Sequence, residues 1–236
     1  MKQILLTVTG CLILIGCSKK SNKKDEIVRN SQEDVMDKES IDSVLGSLRT
    51  VKYNELDTMY LNYSHPNNKF NSELKNREYY KVNGLEIKKK VVGHFTIEDF
   101  LARDDYYKEY LKNPYPEFEQ YWLIDKGVLY MMLELITGLE EGGYNREGFH
   151  IRNSHRHPKL NTDANGASYS QHMFGKAIDI GVEDIDKDGD WDQDDKSVVY
   201  EMLQGIVGNK GGLGLYPGTM SLHFDCRGFR ARWDWP

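Results

Sequence analysis

Between Val128 and Leu139 the residues Val128, Leu129, Met132, Leu133, Ile136 and Leu139 recur at spacings of three and four, and Gly142-Gly143 closes the run. That period commits the segment to a helix with one apolar face, and such a face must be buried against something. The chain that follows offers short pieces. Residues 149–151, 177–180 and 222–224 are apolar runs bounded by Gly, Asn, Asp or Ser, the pattern of short strands. Between the last two, Val198, Val199, Met202, Leu203, Ile206 and Val207 form a second helical stripe ending at Gly208. Upstream, Thr96 with Asp99 three residues later marks a capped helix start. The order predicts an α+β domain over residues 92–236, a small antiparallel sheet packed against helices.

The amino-terminal part has a different character. Lys2 precedes an apolar run, residues 4–16, that ends in Leu14-Ile15-Gly16-Cys17. The run falls short of the roughly 20 residues a membrane-crossing helix needs, so it reads as a signal peptide. LIGC resembles a bacterial lipobox, which implies cleavage before Cys17 and a lipid on its sulfur; an ordinary secretory signal with a chance cysteine is the other reading. Ser18 after the cysteine favours, by analogy with Gram-negative sorting, the outer membrane. The expected location is the cell envelope, facing periplasm or exterior, with the membrane touched through the lipid alone. Residues 17–50 have the polar composition of a solvated tether. Residues 51–91, rich in Tyr, Asn and Lys, form an arm whose structure the sequence does not specify. Cys11 falls in the removed segment, so Cys226 alone remains in the mature globule and no disulfide framework is expected. The net charge is −6 with 31 basic residues, and their scatter excludes the basic footprint of a nucleic-acid binder. A monomer is expected.

Chemistry concentrates in the last third. His172 and Asp179 lie seven apart with Gly175 permitting a bend between them. His223 stands on another short strand, and Asp225, two residues on, faces the same side. Two histidines and a carboxylate are what a catalytic zinc uses, the fourth position being left for water that zinc acidifies. A histidine and an aspartate at this spacing are, on their own, more often plain hydrogen-bonded residues.

The joint pattern says more. SQHMFGKAIDI, residues 170–180, resembles the S-x-H-x-x-G-x-A-x-D signature of the zinc D-Ala-D-Ala carboxypeptidases, which share their fold with the hedgehog signalling domain. IRNSHRHPKLN (151–161), GGLGLYP (211–217), LHFDCRG (222–228) and the tail Arg230-Ala-Arg-Trp233 follow in the family's order. The resemblance spans residues 92–236. It implies a hedgehog/DD-peptidase-like fold, zinc on His172, Asp179 and His223, and Arg156 as a catalytic and substrate-binding residue whose donor fork holds a carboxylate or an oxyanion; a surface arginine in a modest ion pair is the bland alternative. Ser170 is read as orienting the first ligand and binding substrate, or as a turn cap.

Many members of that family carry a Glu or His a few residues before the last ligand, as the base. Here the positions read Pro217-Gly-Thr-Met-Ser221. Asp225 is the nearest replacement, as base or as a residue holding a ligand or Arg227; His155 and His157 are the other candidates. The implied function is hydrolysis of D-amino-acid-containing peptides of peptidoglycan, as carboxypeptidase or endopeptidase. Its alternative is a non-catalytic, zinc-stabilised domain that binds cell-wall peptide or a protein partner.

A second metal is suggested by residues 184–195. Asp184, Asp186, Asp188, Asp190, Asp192 and Asp195 occupy positions 1, 3, 5, 7, 9 and 12 of an EF-hand-like loop, with Gly189 at position 6. Calcium with a structural role is the expectation; a solvated acidic loop is the alternative.

Overall fold

A computed structural model of the chain describes residues 33–66 and 70–234. The expected signal peptide, Cys17 and the first part of the expected tether lie outside the described residues.

The fold is mixed α+β, with small sheets packed against helices. The predicted central helix is α6 (Lys126–Glu141). Asp125 caps it by accepting the Gly127 N–H at 2.9 Å, and it buries Val128, Leu129, Met132, Leu133, Leu135, Ile136 and Leu139. The second stripe forms α8 (Gln193–Val207), which buries Val199, Leu203 and Val207 in the same core. Both pack with a five-stranded sheet of β6 (Phe149–Asn153), β7 (Ala177–Val182), β8 (Gly212–Leu215), β9 (Ser221–Asp225) and β10 (Ala231–Trp233). The strand order is β10-β8-β9-β7-β6. β10 runs parallel to β8, and every other neighbouring pair is antiparallel. Ile178, Ile180, Leu222 and Phe224 from the inner strands β7 and β9 are fully buried.

The amino-terminal part is woven into this body. Helix α1 (Lys38–Gly46) precedes a three-stranded antiparallel sheet of β1 (Arg49–Lys52), β2 (Glu78–Asn83) and β5 (Glu119–Trp122), ordered β1-β2-β5. Short helices α2 (Thr58–Ser64), α3 (Asn71–Leu74), α4 (Ile97–Phe100), α5 (Asp105–Lys112) and α7 (Pro158–Asp163) and the ribbon β3 (Lys90–Val92)–β4 (Phe95–Thr96) complete the chain. Thr96 and Asp99 make the capping box expected at the start of α4. A second, smaller core gathers Val51, Tyr53, Leu56, Leu74, Tyr79 and Leu123, with Phe174 against it.

The solvated tether expected to reach residue 50 therefore stops earlier. Ile41, Leu45 and Leu48 are buried in the main core, and Asp34 pairs with Lys90 and Arg146, each at 2.8 Å. The segment is polar by composition, yet Ile41, Val44, Leu45 and Leu48 sit three or four apart, enough for one helical stripe. Replacing Ile41 with Ala should cost roughly 2–5 kcal/mol of folding stability, as for a core site. Urea denaturation of the variant checks this; an unchanged midpoint would mean the helix does not pack as described.

Candidate metal centre

The centre is assembled by strand register and one tight turn. Asp179 on β7 lies directly opposite His223 on β9. His172 comes from the 3-10 turn Gln171–Phe174. That turn ends at Gly175, φ 66°, where a Cβ would stand 2.4 Å from the Leu123 carbonyl oxygen; only glycine fits both the left-handed backbone and the space. The Gly175 carbonyl accepts the Asp125 N–H at 2.7 Å, tying the turn to the start of α6.

Three lone pairs converge. His172 Nδ1 donates to the Ser154 carbonyl at 2.7 Å, which fixes its tautomer and leaves Nε2 as an acceptor, buried and without a hydrogen-bond partner. That Nε2 lies 3.2 Å from Asp179 Oδ1. His223 Nε2 donates to Asp225 Oδ2 at 2.9 Å, turning Nδ1 toward Asp179 Oδ1 at 2.8 Å. Each ring spends an N–H on the outside and presents a lone pair inside, beside a carboxylate. Acceptors packed this way repel unless a cation lies among them, and the cluster is able to chelate a metal ion. The donor set fits a divalent metal of the kind that takes imidazole and carboxylate.

The electrostatics agree. Burial raises the Asp179 carboxyl pKa, but the two histidines outweigh it and hold it far below the carboxylate range. Burial lowers the pKa of His172, which stays neutral. For His223 burial again opposes charge, yet hydrogen bonds to Asp179 and Asp225 prevail and raise its pKa. In the metal-free protein a proton on His223 therefore takes the place of a cation.

Asp225 was expected either as a base or as a residue holding a ligand or Arg227, and it contacts both His223 and Arg227. It is fully buried. Oδ1 accepts the N–H of Gly212 at 2.9 Å and of Arg227 at 3.1 Å, and Oδ2 accepts His223 Nε2 and Arg227 Nη2. Burial alone would raise its pKa, but His223 and Arg227 hold it well below the usual range. A carboxylate so engaged orients His223 and is poorly placed to take a proton from a ligand. The two loop histidines are also engaged. His155 is buried, with Nδ1 3.5 Å from the Leu123 amide nitrogen; His157 caps α7 through the Leu160 N–H and meets Asp104 at 3.3 Å.

A cleft of about 500 Å³ opens beside the cluster, with Arg156, Ser170, Tyr216, Arg227 and Trp233 in its wall. Arg156 reaches Asp179 Oδ2 at 3.4 Å, and its Nε is buried without a partner. Ser170 heads the turn, and its side chain makes no capping bond. Tyr216 and Lys196 were not singled out from the sequence. Burial, with Asp179 nearby, raises the Tyr216 phenol pKa, so it remains a donor. Lys196 is buried, and its Nζ donates to the carbonyls of Tyr216 at 2.8 Å and Thr219 at 2.5 Å, holding the turn that carries the tyrosine. The signal was present: Lys196 sits on the buried stripe of Val199, Leu203 and Val207, where a lysine is out of place.

The acidic loop is only partly as expected. Asp184, Asp186 and Asp188 bring carboxylate oxygens within 4.8 Å of one another, and Gly189 takes φ 95°. Asp192 and Asp195, expected at positions 9 and 12, form the capping box of α8. Asp195 accepts the N–H groups of Ile185, Asp186 and Asp192. Asp190 is exposed, with its amide donating to Asp188 Oδ1. Three of the six acids thus converge, and of these Asp186 and Asp188 also accept the N–H groups of Asp188 and Asp190.

Asp225→Asn should weaken divalent-metal binding about 10–100-fold by loosening His223, measured by zinc titration with a chelating dye. Binding must also displace the His223 proton, so affinity should fall by up to about tenfold per unit as pH drops below its raised pKa. A pH-independent affinity would place the metal elsewhere. The chain matches no family model, and no curated protein matches it.

Proposed function

We propose that the chain is a zinc-holding domain whose cleft binds a peptide of the bacterial cell wall, and that it belongs with the zinc D-Ala-D-Ala carboxypeptidases that its sequence resembles. The observation that carries the zinc reading is the convergence of His172 Nε2, Asp179 Oδ1 and His223 Nδ1 at the edge of an open cleft. The binding half needs nothing beyond what the wall contains. Arg156 offers a buried, unpartnered Nε–H to an anionic group. Tyr216, kept protonated, offers a second donor.

Hydrolysis is the finer reading. When bound, zinc supplies Lewis acidity, polarising a carbonyl and bringing a water's pKa toward about 7. The protein's part is to hold the ligand carbonyl there and to stabilise developing negative charge through Arg156. A proton acceptor is also needed, and Asp225, His155 and His157 are all committed to other partners. That commitment favours the non-catalytic alternative, a zinc-stabilised domain that binds cell-wall peptide or a protein partner. Lipid anchoring through Cys17 in the cell envelope belongs to the same proposal, resting on the lipobox resemblance.

The test is incubation of the zinc-loaded protein with purified peptidoglycan and with a pentapeptide ending in D-Ala-D-Ala, products being followed by mass spectrometry beside His223→Ala. Loss of a terminal D-Ala or of a cross-link, absent in the variant, establishes the peptidase and names its bond. Pentapeptide binding without product, weakened by Arg156→Ala, establishes the binding domain. Neither product nor binding with zinc bound refutes both.

We also propose that Asp184, Asp186 and Asp188 take calcium as a structural brace ahead of α8. Millimolar calcium should then raise the melting temperature, and Asp186→Asn with Asp188→Asn should abolish the rise. Equal response of this double variant and the parent would leave the loop simply solvated.

A further inference from the structure

The arm of residues 51–91, whose structure the sequence left unspecified, and the first part of the predicted 92–236 domain contribute the walls of a second hollow away from the metal ligands. A cavity of about 280 Å³ lies among α2, β2, β5 and the start of α5. Tyr106 and Glu119 also stand in the wall of an adjoining cavity of about 310 Å³. Tyrosine rings stand in the walls of both. Tyr60 and Tyr121 pack 4.7 Å apart between centroids. Tyr106 is 50% exposed at the lip and held edge-on against Tyr63 at 4.9 Å. Tyr110, Tyr115 and Phe118 continue the surface into the second cavity.

The charged groups here are already engaged. Asp57 caps α2 through the N–H groups of Met59 and Tyr60. Asp104 accepts the Tyr107 N–H and meets His157. Glu119 pairs with Lys81 at 2.7 Å. What remains is neutral hydrogen-bonding capacity: Gln120 Oε1 is buried with no partner in the protein, and Gln120 is only 5% exposed. Tyr121 Oη accepts the Asp57 N–H and keeps its own proton to give. Buried polar atoms left in this state are costly, and a ligand that supplies both hydroxyl donors and acceptors relieves them.

We propose that this hollow is a saccharide-binding site that takes two pyranose rings of a neutral sugar chain. Sugar C–H faces lie on tyrosine rings, and sugar hydroxyls meet the amide and phenol groups between them. Each cavity is near the lower end of the small-ligand range, the size for one ring apiece. Three carboxylates against a single lysine in the inner wall exclude phosphate or carboxylate ligands. Asp104 in its wall touches His157, the chain neighbour of Arg156 in the metal cleft. The site needs no metal and stands or falls apart from the metal reading.

The test is saturation-transfer NMR and titration of the purified, EDTA-treated protein with the N-acetylglucosamine trisaccharide and with maltotriose, and with cadaverine as a cationic probe. Saturable binding of either trisaccharide is expected, weakened about tenfold or more by Gln120→Leu and by Tyr106→Ala. Tyr106 is half exposed, so its variant keeps the parental melting temperature and reads binding alone. Failure of both trisaccharides to bind overturns the proposal. So does binding that Tyr106→Ala leaves unchanged, or cadaverine displacing the sugar, which would make the hollow an ammonium site.

Discussion

The pairing of Asp179 with His223 across β7 and β9 is the contact on which the rest of the centre depends. Strand register sets it, since the two residues are direct partners, and a one-residue slip of β9 would send His223 to the opposite face from Asp179. Burying a carboxylate and an imidazole together costs free energy unless a cation accompanies them. The surrounding structure supplies the rest of the compensation outside the pair: Ser154 fixes one ring, Asp225 the other, and Arg227 with the Gly212 N–H fixes Asp225. The stiffness of the site comes from these outer partners as much as from the three ligand residues.

Stiffness also reaches the site from the amino-terminal part. The turn that carries His172 passes under Leu123, where Gly175 admits the Leu123 carbonyl, and its Phe174 packs against the smaller core. That core is built from residues 51–123, so the arm forms the bed on which the metal turn lies. Loosening it would move a ligand without touching the sheet.

How much of this was legible follows from what each feature depends on. Helices α6 and α8 and strands β6, β7 and β9 carry their period within a few residues, and the sequence displays them. His172, Asp179 and His223 were legible because a motif holds two of them at fixed spacing and the third lies on a recognisable strand. β8 and β10 were not, since GLGL and ARW lack a strand's alternation and gain their place from β9. Asp225 was visible as a neighbour of His223 and a possible partner of Arg227, but the Gly212 N–H that also holds it comes from another strand, a contact that spacing does not encode. Asp192 and Asp195 fit an ion-loop spacing and a helix capping box equally well as sequence, and the structure displays the capping box.

That last feature bears on the cleft. The capping box of Asp192 and Asp195 fixes where α8 begins. Lys196 is the very next residue, and its ammonium is spent wholly inward, on the carbonyls of Tyr216 and Thr219. A buried lysine is tolerated only where its donors are satisfied, so the turn and the helix start constrain each other. The acidic segment thus shapes the metal cleft through one helix terminus and one lysine. A change at the loop that shifted the first turn of α8 would reach Tyr216 before it reached any ligand of the metal.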